Sequence, residues 1–210
     1  MGRDRGEHRD LTTEKRTDAD RNEPGAGARR PPPTLMLALA GLMVALTAAG
    51  AFVKIPLPYV PLTLQVTFVG LSGVFLGKTW GALSQVVYVA LGLVGVPVFA
   101  KGGGPGYVLQ PTFGYLIGFI GGAYVTGLTL QGRQWRYPSL LLAMLAGFIP
   151  IYALGVAYLY GNVNLIMTAP LPLWTALKIG LLIPLPGDVL TASLAAWVAC
   201  RIGPLRLLPR

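Results

Sequence analysis

The sequence predicts an all-α polytopic membrane protein with six transmembrane helices, the last interrupted by a Pro-Leu-Pro-Gly break. Three observations predict it. Of the 210 residues, 53% are apolar and only 12% charged, with a mean hydropathy of +0.59, which is more apolar surface than a soluble chain of this length can enclose. From Thr34 onward, Pro, Gly and basic residues divide the chain into stretches of about 20 residues, enough at 1.5 Å each to cross a hydrocarbon core of about 30 Å. Of the eight Asp and Glu, seven (Asp4, Glu7, Asp10, Glu14, Asp18, Asp20 and Glu23) precede residue 34, so Asp188 is the one acid in residues 34–210.

Residues 1–33 mix Arg, Lys, Asp and Glu with Gly and Pro and cannot bury enough surface to fold alone, so they read as a disordered, charged cytoplasmic tail. They do not resemble a signal peptide, whose basic segment would run directly into an apolar one. Arg29-Arg30 reads as an anchor for the first span. The membrane domain is expected over residues 34–203, with spans near 34–53, 61–77, 80–98, 111–131, 139–160 and 173–202. Residues 204–210 form a short basic cytoplasmic tail.

Within these spans the polar and small residues carry the information. In the first, Gly41, Ala45 and Ala49 recur every four residues on one face and let another helix approach closely, from inside the protein or from a partner. The second carries Thr63, Gln65 and Thr67. In the third, Gln85 and Tyr88 lie three apart on one face; beside a lone Asp, these groups look like a pocket. In the sixth, Pro184-Leu185-Pro186-Gly187 removes backbone donors, so one segment should end near Ile183 and a helix begin at about Pro186. Asp188 then sits in the first turn, where free N–H groups and the positive helix end favour a carboxylate. A charge at the centre of a membrane helix costs roughly 2.5–3.5 kcal/mol on insertion scales, so an acid retained there marks a site.

Lys78, Arg133 and Arg136 share a side with Arg29, Arg30, Arg201, Arg206 and Arg210, whereas Lys54, Lys101 and Lys178 lie toward the other. That bias places both termini in the cytoplasm. It also accounts for the net charge of +9 without a nucleic-acid partner; the expected partner of this surface is the lipid bilayer. The single cysteine, Cys200, excludes an intrachain disulfide and a multi-thiolate metal site, and the single histidine, His8, lies in the tail, so no metal site or cofactor is expected. The segment 73–79 (GVFLGKT) imitates a phosphate-binding loop, but the required first glycine is Ser72. Pro186-Gly187-Asp188 resembles an intramembrane aspartyl protease motif, whose chemistry needs a second carboxylate that is absent. With no His, Cys or second acid near Asp188, enzyme chemistry has little to work with. The glycine-rich stretch 101–106 reads as a flexible connection or lid.

Six ordered blocks, VALTAAGA (44–51), IPLPYVPLTLQV (55–66), GALSQVVY (81–88), LGLVGVPVFA (91–100), PTFGYLIGF (111–119) and PGDVL (186–190), resemble the biotin transporter BioY family over residues 35 to about 203. These are the substrate-binding S components of energy-coupling-factor (ECF) transporters. The resemblance implies a six-helix protein that binds biotin from outside and works with a transmembrane coupling subunit and a pair of cytoplasmic ATPase subunits. It implies Asp188 as a ligand residue, and Gln85, Tyr88, Thr112 and Tyr115 as polar residues near the site. Residues 99–106 become a wall or lid, and Lys101 a partner for the ligand carboxylate. It favours Gly41, Ala45 and Ala49 as the face that docks the coupling subunit. The family pattern implies a lysine one turn after the aspartate, where this chain has Thr191. Either Lys101 or Lys178 then supplies the positive charge, or Asp188 serves biotin's ureido ring while hydroxyls and backbone donors hold the carboxylate. The rival readings are an S component for a different vitamin and an autonomous carrier or channel that uses Asp188 as an ion site.

Overall fold

A chain this apolar must satisfy its backbone polar groups internally, and helices do so within each segment. The computed structural model describes residues 32–56, 59–167 and 170–203. Among the described residues, five helical runs are long and apolar enough to cross a membrane: Pro33–Phe52, Gln65–Val94, Phe113–Leu130, Tyr137–Ile166 and Leu173–Ile202. The expected tails, 1–33 and 204–210, lie outside the described residues except for Pro32 and Pro33.

Helix α1 (Pro33–Phe52) begins where the proline run ends, with Pro33 in the first turn, where its missing N–H leaves nothing unpaired. Two short strands follow, β1 (Lys54–Ile55) and β2 (Leu62–Thr63), pairing antiparallel with Lys54 opposite Thr63 and Ile55 opposite Leu62. The all-α expectation omitted this ribbon, because two-residue strands are too short to leave an alternation in the sequence.

Helix α2 (Gln65–Val94) contains one non-helical residue, Gly77, at φ 75° and ψ −178°. The Gln65 side-chain amide donates to the Tyr88 hydroxyl at 2.5 Å, and that of Gln85 to the Ser72 hydroxyl at 3.2 Å. In a straight helix Gln65 and Tyr88 would stand roughly 35 Å apart, so the chain turns back on itself at Gly77. Its second arm stops at Val94 instead of reaching residue 98, because Gly95 takes a left-handed conformation (φ 119°) and returns its N–H to the last turn.

Helices α3 (Phe113–Leu130) and α4 (Tyr137–Gly161) pack backbone to backbone through glycines. A Cβ at Gly118 would lie 2.7 Å from Ile151 Cα, and one at Gly122 would lie 3.0 Å from the Gly147 carbonyl oxygen. Small residues set such close approaches between membrane helices, where apolar burial gives no net drive.

The last run comprises α5 (Leu173–Leu177), a widened π turn at Lys178–Leu182 and α6 (Leu185–Ile202). The irregularity thus falls one turn earlier than the expected Pro-Leu-Pro-Gly break, and Pro184 itself holds helical dihedrals (φ −75°, ψ −29°). Pro184 has no N–H for the carbonyl of Gly180; the Tyr115 hydroxyl takes that oxygen at 2.7 Å, while the Ile183 N–H reaches back to the Lys178 carbonyl. A neighbouring helix thereby satisfies what the proline frees.

Candidate functional site

A cavity of about 50 Å³ lies where the loops after α1 and α2 meet α3, α4 and the start of α6. Val60, Pro61, Leu62 and Thr63 close it from one loop, and Ala100, Tyr107 and Thr112 from the other; Gln65, Tyr115, Tyr152 and Asp188 supply further polar groups.

Asp188, in the first turn of α6, is 4% exposed. One carboxylate oxygen accepts from the Tyr152 hydroxyl at 2.5 Å. Tyr152 comes from α4, and its ring meets that of Tyr115 edge to face at 6.3 Å between centroids. With its hydroxyl on the Gly180 carbonyl, Tyr115 joins the floor of the cavity to the π turn. A carboxylate held by one donor keeps acceptor capacity for a ligand N–H.

The other residues singled out from sequence fall into three groups. Thr112 and Tyr115 line the cavity with Asp188; the Thr112 hydroxyl donates to Tyr107 at 3.3 Å, and burial raises the Tyr107 phenol above its ordinary pKa, so it stays a neutral hydrogen-bonding group. Tyr88 and Thr191 stand behind the lining. Tyr88 accepts from Gln65, a lining residue, and donates to the Val98 carbonyl at 2.9 Å. Thr191, one turn after Asp188, accepts from Thr67 at 2.7 Å and donates to the Asp188 carbonyl at 3.1 Å, tying α6 to α2.

Gln85 is away from the cavity. Fully buried, its amide nitrogen faces the hydroxyls of Thr47, Ser72 and Ser84 at 3.5, 3.2 and 3.2 Å, a polar knot joining α1 to both arms of α2. Lys101 is exposed at the mouth, with Nζ 3.3 Å from the Tyr59 carbonyl. Gly41, Ala45 and Ala49 all lie on the exposed face of α1, and a Cβ at Gly41 would touch nothing within 4 Å.

Sequence reasoning missed Tyr152 and Tyr107. Each is one of nine tyrosines, and nothing local distinguishes them from interfacial ones; only their position opposite Asp188 and Thr112 does. A larger cleft of about 690 Å³ runs between α4 and the last run, lined by aliphatic and aromatic residues, with Tyr152 shared between the two spaces. It offers a polar ligand nothing beyond that one hydroxyl.

A model of the BioY family matches residues 20–207. The probable biotin transporter BioY of Lysinibacillus sphaericus is 52% identical over 132 residues, covering 62% of this chain and 67% of the relative. The biotin transporter BioY of Thermotoga maritima is 48% identical over 118 residues, covering 56% and 69%, and that of Rhodobacter capsulatus 43% over 162 residues, covering 72% and 84%. Among solved structures, the S-component for biotin from an ECF-type ABC transporter superposes with a TM-score of 0.72 at 27% identity, covering 85% of this chain and 97% of that one.

Proposed function

The chain belongs to the BioY family, and from that premise we propose that it is the biotin-binding S component of an ECF-type vitamin uptake transporter. It binds biotin and works with a transmembrane coupling subunit and two cytoplasmic ATPase subunits, as a transport component and not as an enzyme. The observation that carries this reading is the buried carboxylate of Asp188, the one acid among the described residues, held by Tyr152 in a cavity whose other polar groups are neutral. Biotin presents two ureido N–H donors on an apolar bicycle, which suits one strong acceptor among apolar walls.

In this reading Asp188 accepts from the ureido ring, and Thr112 and Tyr115 face the ligand. Tyr88 positions Gln65, and Thr191 fixes the turn that carries Asp188. Gln85 acts at a distance, by joining α1 to α2. Lys101 lies in the lid that residues 99–106 form at the mouth. The exposed small-residue face of α1 receives the coupling subunit.

The protein lies in the cell membrane with six crossings and both termini in the cytoplasm. The reversal at Gly77 supports this count, since it divides Gln65–Val94 into two arms that fold back along each other. Lys78, Arg133, Arg136 and Arg201 then share the cytoplasmic side.

The decisive test is calorimetric titration of the detergent-purified protein with biotin, riboflavin and thiamine, beside Asp188→Asn. Tight biotin binding, weakened roughly 30-fold or more in the mutant, is expected when a desolvated charged partner is removed. Heat with another vitamin alone would keep the transporter class and overturn biotin. Silence with all three would favour an autonomous carrier or channel.

A further inference from the structure

The cavity lining holds one acid, Asp188, and no base. A cation for a ligand that carries its own carboxylate would therefore come from the edge. Two lysines stand there, each reaching across to the other's loop. Lys54, at the start of β1, places Nζ 2.5 Å from the carbonyl oxygen of Ala100, which lines the cavity. Lys101, the next residue along that loop, places Nζ 3.3 Å from the carbonyl of Tyr59, beside the lining residue Val60.

The two ties differ. The Lys54 bond is the shorter and part-buried and ends on the lining itself, whereas the Lys101 bond is exposed and ends one residue outside it. An ammonium on a neutral carbonyl gains by exchanging it for a carboxylate, because hydrogen bonds between ionised partners are roughly twice as strong as neutral ones. The loops must also part on loading, since about 50 Å³ falls short of the roughly 300 Å³ at which ligand pockets begin. Parting them frees both ammonium groups where an entering anion passes.

Resting on the biotin-binding reading, we propose that Lys54 selects for the ligand's carboxylate. It leaves the Ala100 carbonyl to take the carboxylate at the rim, while Asp188, on the α6 side, accepts from the ureido ring. The cation then comes from a different segment than the helix on which Thr191 stands. Specificity for an anionic vitamin then resides between β1 and the loop after α2, and not on α6.

The test compares biotin with its neutral amide, which shares ring and chain, by calorimetric titration of the full-length protein and its Lys54→Met and Lys54→Arg variants. Wild type is expected to prefer biotin by roughly tenfold, the scale of one charge-assisted bond. Lys54→Met should abolish that preference by weakening biotin alone, and Lys54→Arg should keep it. A preference that survives Lys54→Met, or one lost in Lys101→Met instead, overturns the assignment. Equal weakening of both ligands in Lys54→Met also overturns it, leaving that lysine as a loop tie. A wild type that binds both ligands equally sinks this proposal alone; one that binds neither sinks the biotin reading with it.

Discussion

Helices α3 and α4 and the last run are made of similar apolar residues, yet they are held in opposite ways. Half of the spanning window of α3, and of the run that contains α4, is buried inside the protein, against 28% for Leu173–Ile202. The α3–α4 seam is closed by glycines that bring backbones together. The last run stands beside a 690 Å³ cleft and is attached by scattered side-chain bonds: Tyr152 to Asp188, Thr67 to Thr191, Tyr137 with Ser193, and Trp135 to the Ala199 carbonyl. In lipid, where packing and hydrogen bonds substitute for the hydrophobic drive, the first arrangement makes a tight scaffold and the second a more loosely packed arm. Among the described residues the one buried acid is on the arm, so the group proposed to meet the ligand is also one of its fastenings.

The largest expected effect breaks the scaffold. Gly118→Leu forces a side chain against the backbone of Ile151 and should destabilise the protein by about 3 kcal/mol, read as a lowered melting temperature in detergent. Leu194→Ala, at a 58% exposed position on α6, should leave the melt where it was. Equal shifts in the two variants would erase the distinction between seam and arm.

Tyr152→Phe removes the donor to Asp188 and should weaken biotin binding about tenfold, the scale of one hydrogen bond to a charged group. Undiminished affinity would mean that the tyrosine fastens α6 without orienting its carboxylate. Thr67→Val cuts one tie of the arm and should change stability by only about 0.6 kcal/mol, the average for hydrogen bonds between membrane helices. Hydrogen exchange should then quicken in α6 and not in α3; uniform quickening would argue against a separable arm.

Ala45→Trp, on the exposed face of α1, should change neither the melt nor biotin affinity in the isolated protein while blocking uptake in the assembled transporter. Lost binding in the isolated protein would assign that face to internal packing.

The helical runs were legible because a bilayer leaves so few alternatives. A chain must pair every backbone group within each crossing, so apolar length translates directly into helix. Asp188 was conspicuous for the same reason, and its place in the first turn of α6 follows from Pro184 and Pro186. The functional neighbourhood was less legible. Gln85 and Tyr88 share a helix face by their spacing, yet Gln85 joins a knot with Thr47, Ser72 and Ser84 while Tyr88 braces Gln65. Spacing tells which way a side chain points along its own helix and says nothing of what stands opposite.

By itself, then, the sequence determined the membrane class, most of the helical runs and the one residue whose burial needs a reason, because those depend on local composition and on the solvent. Tertiary structure alone decided that Tyr152 supports Asp188, that Tyr115 caps the carbonyl Pro184 leaves open, and that Lys54 reaches Ala100 across 46 residues of chain. Those pairings depend on how the chain folds back at Gly77 and on which loops meet at one end of the bundle. No window of the sequence short enough to read for periodicity contains both partners.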